Sequence, residues 1–306
     1  MSEERGDKGP HQWSAVTVAG VGLIGGSFAL ALRKAGFKGK IIGVSSPETI
    51  RTALDRHVID EAMPLRDAAG QSDLIYLAQP ISRILETLDE IDPHVYPGTL
   101  ITDAGSTKSA IVARAGKRIR RGRFIGGHPM AGKQSRGIAE AEADLFRGRP
   151  YVLTADITAS LVPSSNVTAS SVPSSLDAEL ERWIKRIGAR VVIMTPEEHD
   201  RLVAMTSHLP QLISTALASA IANEPGASRV AGPAAVDLTR LALSPYEIWR
   251  DIFATNSVAI DDALAVFIHK LEELRAKLRN PEIEREFERA ASSARELRRG
   301  EVLPGG

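Results

Sequence analysis

From Ser14 to about Met194, short apolar runs alternate with stretches of helical periodicity. Ala15–Ala19, Lys40–Val44, Asp73–Ala78, Thr99–Thr102, Arg123–Gly126 and Arg190–Ile193 read as strands. Leu23–Ala35, Pro47–Arg56, Ile81–Ile91 and Leu176–Ile187 read as helices between them, the first ended by Gly36 and the second opened by a proline. The strands are continuously apolar rather than alternating, which predicts a mostly parallel sheet covered on both faces. After Thr195-Pro-Glu-Glu only helical periods remain, broken at Asn223–Gly226, Gly232–Pro233 and Ser244–Pro245. The pattern therefore predicts an α/β domain over residues 14–196 and an all-helical domain over 197–306. The last two helices, 261–279 and 282–299, carry charged stripes, which suit solvated faces or the flanks of an intersubunit packing.

Two stretches fit neither pattern. Residues 1–13 are polar and charged and read as a flexible tail. Within 156–176, Thr158–Val167 is nearly repeated as Thr168–Asp177, in a Ser/Thr/Pro composition that cannot build a core. A mobile surface loop is expected there.

Gly20-Val21-Gly22-Leu23-Ile24-Gly25 lies between the first strand and the first helix, the context that a G-x-G-x-x-G turn needs to bind a dinucleotide. Gly20 allows the tight turn, Gly22 the approach of a pyrophosphate and Gly25 close helix–strand packing. The first-turn N–H groups at Leu23 and Ile24 then face the phosphates. The α/β domain is accordingly expected to be of the Rossmann type. Its second strand ends Gly43-Val44-Ser45-Ser46, without the acidic residue that usually holds the adenosine ribose. Ser45, Ser46 and Arg51 would tolerate a 2′-phosphate, so NADP is expected slightly ahead of NAD. Gln79-Pro80, closing the third strand, is expected on the nicotinamide side of the pocket.

Composition narrows the chemistry. Lys plus Arg and Asp plus Glu each total 38, so a nucleic-acid partner is not expected. There is no cysteine, which excludes disulfides and thiolate catalysis. The seven histidines show no paired ligand spacing, so no metal is expected. The first eleven residues lack the apolar run of a secretion signal, and no apolar segment reaches the roughly 18 residues of a membrane span. No membrane partner and a cytoplasmic location are the corresponding expectations.

His128 stands in Gly126-Gly127-His128-Pro129-Met130-Ala131-Gly132, and Ser106 and Lys108 in Asp103-Ala104-Gly105-Ser106-Thr107-Lys108. Each segment follows a strand, hence lies at the carboxyl edge of the sheet where open α/β sheets bind ligands. A proton acceptor close to a nicotinamide is the minimum equipment for oxidising an alcohol, and imidazole titrates near working pH.

Together with Ser207-His208-Leu209-Pro210, Asp237–Ala242 and Tyr246–Ile252, these segments resemble the prephenate/arogenate dehydrogenase family over about residues 14–280, apart from the Ser/Thr/Pro stretch. The resemblance implies oxidative decarboxylation on the route to tyrosine. Prephenate would give 4-hydroxyphenylpyruvate, or arogenate would give tyrosine, with NAD or NADP reduced. It implies His128 as the base that takes the ring-hydroxyl proton, and Ser106 as the group that bonds both that histidine and the hydroxyl. It implies substrate contacts for His208, Lys108 and Gln134, and for Arg240, whose planar fork suits a carboxylate. Apolar Leu238, Leu241 and Leu243 around Arg240 argue against a surface salt bridge. It also implies a homodimer formed through the helical domain, with helix Leu209–Ile221 contributing. Family members commonly carry Glu where this chain has Gln134. The uncharged Gln134, with Arg136 beside it, favours dianionic prephenate over arogenate.

Two other readings stand beside this one. A 3-hydroxy-acid or 6-phosphogluconate type of dehydrogenase would place a catalytic lysine in the helical domain, where no matching motif occurs. A nucleotide-sensing module would need no positioned base.

Overall fold

The computed structural model describes residues 13–133, 135–154 and 177–301. The expectations for residues 1–12, for Gln134 and for the Ser/Thr/Pro stretch 156–176 lie outside the described residues. The chain divides into two compact units, Met1–Pro196 and Glu197–Gly306.

The first unit is built on an eight-stranded sheet: β1 (Ala15–Ala19), β2 (Lys40–Val44), β3 (Glu61–Ala62), β4 (Leu74–Leu77), β5 (Leu100–Asp103), β6 (Arg123–Pro129), β7 (Pro150–Thr154) and β8 (Arg190–Met194). The spatial order is β3-β2-β1-β4-β5-β6-β7-β8. Every pairing is parallel except β6 with β7. The order reverses between β1 and β4, so their carboxyl ends form the switch point at which such sheets bind ligands. Among the described residues its α-helices are α1 (Leu23–Lys34), α2 (Pro47–Asp55), α3 (Leu65–Ala69), α4 (Ile81–Glu90), α5 (Ser109–Arg118) and α6 (Ala178–Arg186).

Strands β3 and β7 were not anticipated. Two residues of β3 carry no periodicity, and β7 is a five-residue run opened by Pro150. β7 matters most to the site, because it changes what β6 does. Residues 123–125 pair in parallel with β5, and residues 126–129 then pair antiparallel with β7, with His128 opposite Val152. The glycines of the His128 segment thus continue the strand past the end of β5.

The core is the apolar interior expected of continuous strands. Val16, Val18, Leu74 and Ile75 are fully buried, and Phe28 of α1 stacks on Tyr76 at 4.0 Å. Trp13 corrects the tail boundary by one residue. It is buried, its N–H donates to Glu179 Oε1 (2.9 Å), and its ring stacks on Trp183 of α6. Burial of so large a ring outweighs the polar character of the residues before it.

The second unit contains α7 (Pro196–Val203), a π-helical turn (Ala204–His208), α8 (Leu209–Ala222), α9 (Pro233–Thr239), a 3₁₀ turn (Arg240–Leu243), α10 (Tyr246–Lys277) and α11 (Glu282–Glu301). Part of the charged striping joins α10 to α11. Lys270 and Lys277 both donate to Glu286, and the bond from Lys270 leads in lowering that carboxyl to about 2. Contrary to the sequence expectation, α10 is long and apolar enough to cross a membrane by length and composition. Its buried Asp251 and Asn256, and the exposed Asp261 and Asp262 near its middle, suit a helix packed in a polar setting better than one in lipid.

Replacing Trp13 by Ala removes a stacked, buried ring, so Trp13→Ala is expected to lower unfolding stability by about 3 kcal/mol. Urea unfolding measures this, and a change below about 1 kcal/mol would mean the residue belongs to the tail after all.

Candidate active site

At the switch point the chain turns at Gly20, whose φ is +94° and whose N–H donates to Val44 O (2.8 Å). A side chain there would collide with the Ala78 carbonyl of the neighbouring strand end. Helix α1 starts at Gly22 with no side-chain cap and no acidic residue in its first turn, so its first N–H groups and positive dipole end remain available to an anion. A Cβ at Gly22 would meet nothing within 4 Å, the space a pyrophosphate needs. Leu23 and Ile24 are half-buried in that first turn. These residues fit a bound dinucleotide.

The tip of β2 is less committed. Ser45 and Ser46 are exposed, but Ser46 uses its hydroxyl to cap α2, accepting from Thr49 N–H (3.4 Å) and donating to Thr49 Oγ1 (2.9 Å). Gln79 follows β4 and is half-buried. It lines a cavity of about 300 Å³ with Val44, Leu65, Arg66, Arg83 and Thr87, and accepts from Thr87 Oγ1 (3.0 Å). The cavity reaches Val44, at the end of β2. Pro80 is the exposed N-cap residue of α4.

Ser106 and His128 are joined through their neighbours by one carboxylate. Asp103, the last residue of β5, is fully buried. Its Oδ2 accepts from Gly105 N–H (2.8 Å), and its Oδ1 accepts from Gly127 N–H (3.0 Å). Gly105 precedes Ser106 and Gly127 precedes His128, so a single side chain sets the spacing of both segments. Lys108 supplies the countercharge, its ammonium bonded to Asp103 Oδ2. Lys108 is itself wholly buried, and its ammonium is the countercharge to the buried Asp103 carboxylate. Gly127 is required for the approach, since a Cβ there would lie 2.6 Å from the Asp103 carbonyl. Ser106 and His128 are each half-buried, reachable from outside.

Beneath them, Tyr151 donates to Tyr76 Oη (3.3 Å). Burial, chiefly, with the Asp103 charge adding to it, pushes both phenols up, so both stay protonated in any working range. Asp103, Gly127 and Tyr151 were not singled out from the sequence. The aspartate opens a motif in which the serine and lysine drew attention, and only the fold shows that it faces both segments.

In the helical unit, His208 ends the π-turn and is 1% exposed. Its ring meets Trp249 edge-on at 6.0 Å, and its Nδ1 lies 3.3 Å from Asn256 Nδ2. Burial pushes the imidazole down to about 4, against the pull of Asp200 and with the help of His199. Arg240 opens the 3₁₀ turn, which is tied to α8 by Ala242 N–H donating to Ser214 Oγ (3.0 Å). Arg240 is exposed, and so are Leu238 and Leu243, so the apolar surroundings expected from the sequence do not shield it. Sequence neighbours on a short turn point to different sides. Among the described residues no group of three or more His, Cys, Asp or Glu could hold a metal ion.

Residues 28–160 match the family description "Prephenate dehydrogenase, nucleotide-binding domain", and residues 195–291 match "Prephenate dehydrogenase, dimerization domain". Prephenate dehydrogenase of Lactococcus lactis subsp. cremoris is 33% identical over 270 residues, covering 86% of this chain and 71% of that protein. Among solved structures, prephenate dehydrogenase from A. aeolicus in complex with hydroxyphenyl propionate and NAD+ superposes with a TM-score of 0.80 at 27% identity, covering 94% of this chain and all of that one. Synechocystis arogenate dehydrogenase superposes with a TM-score of 0.76 at 30% identity, covering 92% and 99%.

Two outcomes test this geometry. Gly22→Ala is expected to leave stability within about 0.5 kcal/mol of the parent while weakening dinucleotide binding tenfold or more. Gly25→Ala puts a Cβ 2.0 Å from the Gly20 carbonyl oxygen and is expected to cost about 2 kcal/mol of stability. Denaturant unfolding and cofactor titration separate the two, and equal effects of both variants on stability would contradict the assignment. Asp103→Asn strands the Lys108 ammonium and is expected to destabilise by about 3 kcal/mol by the same unfolding measurement; a loss below about 1 kcal/mol would show that the pair does not anchor the site.

Proposed function

The chain belongs to the prephenate dehydrogenase family, and on that premise we propose that it oxidatively decarboxylates prephenate to 4-hydroxyphenylpyruvate and carbon dioxide with reduction of NAD(P). The observation that carries this reading is the single carboxylate of Asp103 bonded to the residues next to Ser106 and His128. A base and a hydroxyl group held in register at the carboxyl edge of a dinucleotide-binding sheet suit removal of a proton from an alcohol as it is oxidised. The bound dinucleotide supplies the two-electron acceptor. His128 takes the proton of the ring hydroxyl, and Ser106 bonds that same oxygen and orients it. Departure of the ring carboxylate as carbon dioxide then restores aromaticity, which makes the reaction effectively irreversible. Arg240 pairs with a substrate carboxylate and His208 bonds a substrate oxygen. Lys108 supports the site through its ion pair with Asp103.

Prephenate is preferred to arogenate because Gln134 is uncharged and Arg136 adds a positive charge, which suits a dianion better than a substrate carrying an ammonium group. Cofactor preference is better opened on NAD than on NADP. The sequence argument for a 2′-phosphate rested on Ser45, Ser46 and Arg51, and Ser46 already spends its hydroxyl on α2; NAD+ is the dinucleotide in the A. aeolicus complex. A homodimer through the helical unit is supported by the apolar side chains it exposes, among them Leu243, Val258, Val266 and Phe287. Its counterpart in the family is described as a dimerization domain.

Steady-state assays with prephenate or arogenate and NAD or NADP test the proposal. Turnover of prephenate with NAD is expected to be the most efficient combination. His128→Asn is expected to keep cofactor binding and lose about a hundredfold to ten-thousandfold in kcat. Arg240→Gln is expected chiefly to raise KM. Near-normal kcat in His128→Asn would overturn the base assignment, and a strong arogenate preference would overturn the charge argument.

A further inference from the structure

Helix α10 is interrupted. At Asn256 the backbone leaves the helical region (φ −137°, ψ 25°), and the side chain there is buried. The Ala204–His208 segment between α7 and α8 is wound as a π-turn. Both departures from α-helical geometry are unfavourable by themselves and tend to mark working positions. Here they meet at one carboxamide. Asn256 Nδ2 donates to the Asp200 carbonyl (2.8 Å) and also lies 3.3 Å from His208 Nδ1. A carbonyl oxygen can only accept, so the bond to Asp200 fixes which end of the amide is nitrogen. The second amide hydrogen is then left for Nδ1, which must present a lone pair. A neutral imidazole with a bare Nδ1 carries its proton on Nε2.

We infer that Asn256 is a positioning residue that locks His208 as the Nε2–H tautomer, an uncharged hydrogen-bond donor aimed at a substrate oxygen. The second half of that statement rests on the substrate contact proposed above; the first half does not. The titratable groups that act on this imidazole are Asp200 and His199, both on α7, and they oppose one another. Asp200 is itself engaged by its neighbour, its Oδ1 lying 2.8 Å from His199 Nδ1. Trp249 covers another side of the ring and contributes no charge, its indole N–H being directed to Ser244 Oγ (2.9 Å). The Asp200 carboxylate favours an imidazolium, but burial, helped by His199, outweighs it, in keeping with the low pKa. His208 is therefore not a second base, and the proton of the reaction has one acceptor, His128.

The full chain labelled with [15N]histidine tests this by long-range proton–nitrogen correlation, the His208 signals being assigned by their loss in His208→Asn. At pH 7 an unprotonated Nδ1 and a protonated Nε2 are expected, persisting below pH 5. A protonated Nδ1, or an imidazolium at pH 7, overturns the inference. Asn256→Asp places an acceptor opposite Nδ1 and is expected to move the proton there or to keep the ring charged to higher pH. An unchanged His208 spectrum in that variant also overturns it. Prephenate KM is expected to rise about tenfold in Asn256→Asp, with kcat changed less than about threefold. If the tautomer switches while KM stays constant, the clamp is upheld and the substrate contact of His208 is what fails. Should Asn256→Asp not fold, the parent protein's spectrum alone still decides.

Discussion

A carboxylate buried in the middle of a protein is expensive unless its charge is met, and Asp103 is met by Lys108 with no solvent between them. The pair contributes little net stability against an apolar replacement, but it makes Asp103 an anion with two oxygens to spend on backbone N–H groups. It spends them on Gly105 and Gly127, which belong to two different sheet-edge segments. A charge-assisted bridge thereby ties the loop that carries Ser106 to the end of β6 that carries His128. The glycine in front of the histidine follows from the same constraint, because the Asp103 backbone approaches too closely for a Cβ.

The helical unit repeats this economy with an amide in place of an acid. Asn256 spans the Asp200 carbonyl and His208 at the point where one helix is kinked and another is wound too wide. In each unit, then, a histidine is held through a neighbour whose own partner fixes its orientation. The two histidines differ because their surroundings differ. His128 is half-buried at a strand end, whereas His208 is enclosed and driven neutral by loss of solvent.

Much of this was legible in the chain. Continuous apolar runs announced a parallel sheet, and the Gly20–Gly25 turn lies at the reversal of strand order where its position in the pattern placed it. The motifs holding Ser106, His128, His208 and Arg240 were visible as residues. Their supports were not. Lys108 stood in a motif, and only burial reveals it as a counterion. Asn256 sits in an unremarkable helical stretch with no local signal, since what it does depends on residues about fifty positions away. β7 is a short run opened by Pro150, and nothing local signals its antiparallel pairing with the part of β6 that carries His128. Leu238 and Leu243 seemed to wrap Arg240, yet short helical turns fan such neighbours outward. Local pattern reports elements and motifs; long-range hydrogen bonds and ion pairs must be seen in three dimensions.

In the proposed reaction, Asp103 holds Ser106 and His128 toward one hydroxyl group. A crystal structure of the protein with NAD+ and hydroxyphenyl propionate examines it most directly. The phenolic oxygen is expected within hydrogen-bond distance of both His128 and Ser106 Oγ, with Asp103 still accepting from Gly105 and Gly127. A ring bound elsewhere, or a His128 side chain turned away from the phenol while those bonds persist, would contradict it.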